Sequence, residues 1–353
     1  MLENIIDPPI KRGSNAPRAV LVEINELHEF SRIVRTLGTG QWIFRGHGDK
    51  DWKLESSLER QLVKNRVKSI NKVVQNAINM TRYDKYRASD EMFAIDLFRR
   101  HARTKLPNLE HLVEWLAAMQ HYGASTRLLD FTRSIYVALY FAFENRLRSS
   151  DTAIYAIHYP ALVHSCVLSK EIVLAQQQLF AEMDRARRKD KVRDSAKIRN
   201  EFVKQNYYRN NKELQDSLIS LADKCIETRS SDPGVIPVNV PGVNERLIAQ
   251  SGLFLMPRTF TSFNGNLAAS LELNENDINN PSYHYDGRGY PGNKGVLGNA
   301  VLIKIVISRN LEKAVWNMLA QANVSALNLF PGLDGIAKSI KYDEVLYAQR
   351  SGY

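Results

Sequence analysis

The run Gln120-His121-Tyr122-Gly123-Ala124-Ser125-Thr126-Arg127-Leu128-Leu129-Asp130-Phe131-Thr132 gathers a histidine, three hydroxyls, an arginine and a carboxylate into one short, glycine-containing turn. Ser125, His121 and Asp130 carry the groups of a nucleophile, a base and an orienting acid. No Gly-x-Ser-x-Gly elbow surrounds the serine, however, and three residues so close in one turn do not reach triad geometry. Metal chemistry is disfavoured as well: the chain has no His-Glu-x-x-His, its cysteines are unpaired in spacing, and its eight histidines are scattered. There is no Gly-x-x-x-x-Gly-Lys-Ser/Thr loop for purine nucleotide hydrolysis. What remains is a set of groups suited to binding and polarising an anionic ligand.

The elements around this turn would position it. Ile135 to Glu144 is apolar on every face, which predicts a buried helix, with Ser134 before it as N-cap. Its first turn offers free N–H groups and the positive end of the helix dipole, which favour phosphate or carboxylate. Gln41 to Gly46 is aromatic and β-branched and reads as a core strand delivering Arg45 at its end. An arginine fork there suits a phosphate bidentately, and Gly46 would allow close approach to it. The alternative is a structural arginine paired with an acid such as Asp130. Residues Arg246 to Met256 read as a late strand interrupted at Gly252, which places Gln250 on that strand.

A chain of 353 residues, 44% hydrophobic and 24% charged, has the composition of an ordinary globular protein. No apolar run is long enough for a membrane span, no signal-peptide pattern opens the chain, and Cys166 and Cys225 form no disulfide framework. The expected location is cytoplasmic, with no membrane partner. Residues 1–17 read as an N-terminal arm and 18–353 as the domain, with a charged helical insertion at 170–228 and a long loop at 274–299. Strands are expected near 41–45, 152–158, 247–255 and 300–307, and an edge strand at Asp343 to Tyr347. The fold class is α+β: a small mixed or antiparallel sheet surrounded by helices.

The net charge of +10 and the basic helical stretches between 64 and 105 and between 182 and 204 make RNA or DNA a candidate partner. Solvated helical faces account for the same residues without one.

Four blocks carry a family resemblance: Phe44-Arg45-Gly46; Gln120-His121-Tyr122-Gly123 with Thr126-Arg127-Leu128-Leu129-Asp130; Glu245 to Phe254; and Leu329 to Ala337. They resemble the FRG domain, a family often found in bacterial conflict and phage-defence systems, so the resemblance implies a toxin or sensor setting. The order of polar groups is also similar in pattern to the ADP-ribosyltransferase superfamily, which implies an ADP-ribosyltransferase-like fold and NAD as cofactor. In that superfamily an arginine or histidine stands on an early strand, a hydroxyl or aromatic on a middle element and a glutamate on a late strand. The resemblance then assigns Arg45, Thr126, Asp130 and Gln250 to one catalytic pocket. Arg45 would clamp phosphate, Thr126 or Thr132 would position ribose or nicotinamide amide, and Tyr122 or Tyr140 would stack. His121 and Arg127 complete the ligand-binding set. Gln250 stands where that superfamily has glutamate; an amide accepts a ribose hydrogen bond but supplies no negative charge to a developing oxocarbenium ion. Two readings therefore stay open: an NAD or ADP-ribose pocket with ADP-ribosyltransferase activity, or a non-catalytic nucleotide- or nucleic-acid-binding recognition module.

Overall fold

The computed structural model describes residues 17–37, 41–61, 80–106, 108–147, 149–167, 211–240, 245–285 and 299–341. Outside the described residues lie nearly all of the expected arm, the 64–79 part of the first basic stretch, the second at 182–204, half of the expected loop, and the edge strand expected at 343–347. The rest of the first basic stretch falls largely on the Met80–Ala102 helix.

Eight strands form one mixed sheet: β1 (Ala19–Ile24), β2 (Trp42–His47), β3 (Leu129–Thr132), β4 (Thr152–His158), β5 (Val235–Val238), β6 (Gly252–Pro257), β7 (Tyr283–Tyr285) and β8 (Leu302–Ile307). Their order is β5-β6-β3-β2-β4-β8-β1-β7. β1 runs parallel to β7 and β8, and the other neighbours are antiparallel. The expected α+β class with a mixed sheet holds, but the sheet is larger than expected. Among the surplus strands, β1 is a full six-residue strand over the apolar run from 19 to 24, β3 lies inside the polar turn, and β7 occupies three residues of the segment read as a loop. That segment also contains a helix, Glu275–Asn279, held by the fully buried Ile278.

Side-chain alternation divides the core. On one face, Trp42, Phe44, Ile154, Ile303 and Ile305 pack beneath the Ile135–Glu144 helix. On the same face, Phe254, Met256, Ile236 and Val238 pack against the Leu112–His121 and Asn211–Thr228 helices. The opposite face, with Ile43, Tyr155, Leu129 and Leu253, is covered chiefly by the Phe263–Leu271 helix and Leu162. Two helical groups therefore share one face, and polar residues such as Gln120, Asp130 and Thr132 stand with apolar ones in the seam between them.

The Ile135–Glu144 helix is as buried as its composition predicts, and Ser134 caps it, its hydroxyl accepting from Val137 N at 3.4 Å. Each Leu or Phe buried there contributes about 1.5–3 kcal/mol. The glycine after Arg45 serves this packing rather than a ligand. A Cβ on Gly46 would stand 1.9 Å from the Ala138 carbonyl oxygen, so only glycine lets β2 meet the helix backbone to backbone.

The strand expected over Arg246 to Met256 needs correction. Glu245–Ala249 is a helix with no buried residue, and Gln250 follows it in a turn. Ser251, at φ 48°, reverses the chain, and the strand starts only at Gly252. There is no room for a longer strand: Leu247 folds back so that a Cβ on Gly252 would meet its Cδ1 at 2.5 Å.

Candidate functional site

The seam opens because β2 and β3 hardly pair. Their ladder is the single match Phe44↔Thr132, whereas β3 pairs with β6 through four residues and β2 with β4 through six. Beyond that match the two strands part, which explains why Asp130, in mid-sheet, has a side chain 60% exposed. A cavity of about 370 Å³ occupies the gap, within the roughly 300–1,000 Å³ typical of ligand pockets. The sheet lines it with Phe44, Arg45, Gly46, Asp130, Phe131 and Thr132. The flanking helices contribute Gln120, His121 and Glu144, and the later chain adds Arg246, Gln250 and Lys338.

Arg45 spans the gap. Its Nη1 donates to the Asp130 carbonyl oxygen at 2.7 Å, satisfying an acceptor that the missing ladder leaves open, and stands 3.9 Å from the Asp130 carboxylate. Nε donates to His47 Nε2 at 3.2 Å. His47 Nδ1 lies 3.2 Å from the Trp52 carbonyl oxygen, an acceptor only, so the imidazole is the neutral Nδ1–H tautomer. Burial, reinforced by the charge of Arg45, pulls its pKa down to about 3. Burial also lowers the pKa of Arg45, with Asp130 opposing the shift; the guanidinium nonetheless stays cationic. Nη2 of Arg45 has no hydrogen-bond partner among the described residues.

The Asp130 carboxylate is oriented by a short relay. The Thr126 hydroxyl donates to Gln120 Oε1, which fixes the amide so that Nε2 donates to Asp130 Oδ1 at 2.9 Å. Thr126 is itself anchored: its N–H is 3.0 Å from the Ser57 hydroxyl and its Oγ1 accepts from Leu128 N. Thr132 Oγ1 donates to the Gln250 carbonyl oxygen at 2.7 Å, and the Gln250 side-chain amide donates to the Leu329 carbonyl oxygen at 3.0 Å. Three separate parts of the chain are thus tied around the cavity.

Of the residues expected at a site, Arg45, Asp130, Gln250, His121 and Thr132 line this cavity. Thr126 reaches it only through Gln120. Gln250 arrives from a helix–strand turn rather than a strand. The two tyrosines are elsewhere: Tyr122 is 66% exposed beside His121 and Phe98, and Tyr140 is fully buried against Phe141 and Trp316. One or the other was expected to stack on a ligand, but Tyr140 follows the helix face that meets the core, and Tyr122 lies past the helix end. Arg127 does not pair with Asp130. Its Nε bonds both carboxylate oxygens of Glu91 at 3.0 and 2.9 Å, Nη2 pairs with the same carboxylate, Nη1 donates to the Pro257 carbonyl oxygen, and the guanidinium lies 4.2 Å from the Phe260 ring centre.

The reading from residue types overlooked Gln120, Glu144, Arg246 and Lys338. Glu144 had a signal: it is the one charge in a ten-residue apolar helix and sits in the last turn, where the dipole disfavours an anion. It accepts from Lys338 Nζ at 2.7 Å.

Residues 40–151 match the family model described as the FRG domain, and the chain carries an FRG domain over that span. No curated protein and no solved structure matches the chain. The matched span contains Arg45, Gln120, Asp130, Thr132 and Glu144; Arg246, Gln250 and Lys338 reach the same cavity from outside it. Among the described residues, no helix is long and apolar enough to cross a membrane.

Proposed function

We propose that this FRG domain protein binds an anionic nucleotide, NAD or ADP-ribose, in the cavity between β2 and β3, in a bacterial conflict or phage-defence setting that fits the family. The observation that carries the reading is Arg45. It is held by His47 and the Asp130 carbonyl oxygen, and it keeps one guanidinium nitrogen for a ligand. Held donors of this kind give up little freedom on binding, so a phosphate gains most of the charge-assisted bond. Asp130, oriented by Gln120, offers an acceptor for ribose hydroxyls, and Gln250 lines the same cavity.

ADP-ribosyl transfer from NAD is the activity to test on this pocket. Calorimetric titration with NAD and ADP-ribose, followed by a radiolabelled-NAD transfer assay on proteins and nucleic acids, separates binding from turnover. Binding with label transfer that Gln250→Ala reduces without weakening affinity supports an ADP-ribosyltransferase. The second reading, a non-catalytic recognition module, is favoured by the bond that commits the Gln250 amide to Leu329. It predicts binding without transfer. Failure of both nucleotides to bind at millimolar concentration overturns the pocket assignment.

A further inference from the structure

The far wall of the cavity holds two cations that neither the FRG span nor the Arg45 site accounts for. Arg246 and Lys338 both line it, and both rest on one ring: the Arg246 guanidinium carbon is 4.5 Å, and Lys338 Nζ 3.8 Å, from the centre of Phe330. Phe330 is buried and set edge-on to Phe141 at 6.1 Å, so the platform is part of the core and does not travel with its cations. A cation over a ring face is held by the quadrupole while its N–H groups remain directed outward. Stacked arginine therefore still presents its planar fork edge-on to an anion.

The charges do not balance. Among the cavity-lining residues, Asp130 faces Arg45 and Glu144 bonds Lys338, while Arg246 has no carboxylate partner among the described residues. Two like charges share one ring, and a single buried carboxylate offsets only one of them. Like charges held this close favour a bound anion that neutralises both.

We infer that Arg246 and Lys338, set on Phe330, form a second anion clamp, and that the ligand of this cavity carries a pyrophosphate. This deepens the nucleotide reading and rests on it for the nucleoside part alone. One phosphate meets Nη2 of Arg45 and the other meets the Arg246 fork and the Lys338 ammonium, so a monophosphate satisfies only one wall.

The test titrates the full chain calorimetrically with inorganic pyrophosphate, inorganic phosphate and ADP-ribose, for wild type, Arg246→Gln, Lys338→Gln and Phe330→Leu. Arg246 is exposed, so Arg246→Gln keeps the fold, and thermal melts verify the others. The expected result is pyrophosphate binding at least about tenfold tighter than phosphate. Each glutamine variant then loses about tenfold or more for pyrophosphate and ADP-ribose, the loss expected for a charge-assisted bond. Phe330→Leu reproduces the loss with both charges present. The inference is overturned by unchanged pyrophosphate affinity in Arg246→Gln and Lys338→Gln, even where ADP-ribose binds wild type and the nucleotide reading stands. Pyrophosphate binding that requires both residues, with no binding of NAD or ADP-ribose, leaves the clamp intact and removes the nucleotide reading.

Discussion

Arg45 and Arg127 lie in the same FRG-matched span, and the structure uses them in opposite ways. Arg127 is closed off. Its side chain is 3% exposed, its partner Glu91 is 4% exposed, and its guanidinium bonds that carboxylate, a backbone carbonyl and an aromatic face. Arg45 is 21% exposed, its carboxylate partner is mostly in solvent at 3.9 Å, and it faces a cavity. The sequence around each is similar: an arginine next to apolar residues, near an acid. The difference lies in what surrounds each. Arg127, just before β3, is enclosed by Glu91, the Pro257 carbonyl at the end of β6 and Phe260, while β2 and β3 part at Arg45.

The largest effect should come from opening the closed site. Arg127→Met strands the Glu91 carboxylate in the core, so unfolding in urea should show a loss of about 3–5 kcal/mol. Arg45→Ala should cost much less in the same measurement, and equal losses would make Arg45 a structural residue like Arg127. Second, Arg45→Ala should weaken ADP-ribose binding by about 2–3 kcal/mol, seen by calorimetry, because it removes a charge-assisted phosphate contact. Arg127→Lys, which keeps the charge far from the cavity, should leave the affinity of the folded fraction unchanged.

A third effect follows from pH. Burial pulls His47 down to about 3 and His158 to about 4, both below the ordinary 6.5. The unfolded chain therefore takes up protons first. The stability that these neutral rings contribute is complete above pH 6.5 and is lost as pH falls toward 4 and then 3. By pH 5 the loss should be about 2 kcal/mol for each ring, and His158→Leu should flatten the slope of urea stability against pH. Below that range His47 ceases to accept from Arg45, which removes one of the two bonds that hold the guanidinium. The smallest effect sharpens the relay. Thr126→Val removes the donor that fixes the Gln120 amide and should cost about 1 kcal/mol of stability, with a weaker change in ligand affinity than Arg45→Ala. A larger affinity change than Arg45→Ala would place Thr126 in direct contact with ligand.

Local chemistry carried much of this protein into view. The Ile135–Glu144 helix and its Ser134 cap, a strand through Arg45 and the strand over 302–307 follow from periodicity and residue type, which act over a few neighbours, and the FRG blocks are legible as a resemblance. That β2 runs on to His47, so that Arg45 stands inside it and not at its end, follows from its pairing with β4. Tertiary pairing decided the rest. That Arg45 lines the cavity depends on one missing stretch of ladder between residues some 85 apart in sequence, as the Arg45–Asp130 bond shows. Gln250 could be placed near the cavity by its block but not on its turn, because the left-handed Ser251 and the fold-back of Leu247 are set by packing. Arg246, Lys338 and Phe330 come together from distant segments, and no local pattern marks a cation for the ring on which it rests. Side-chain type defines what a residue can do; the strand splay and the shared ring define which residues do it together.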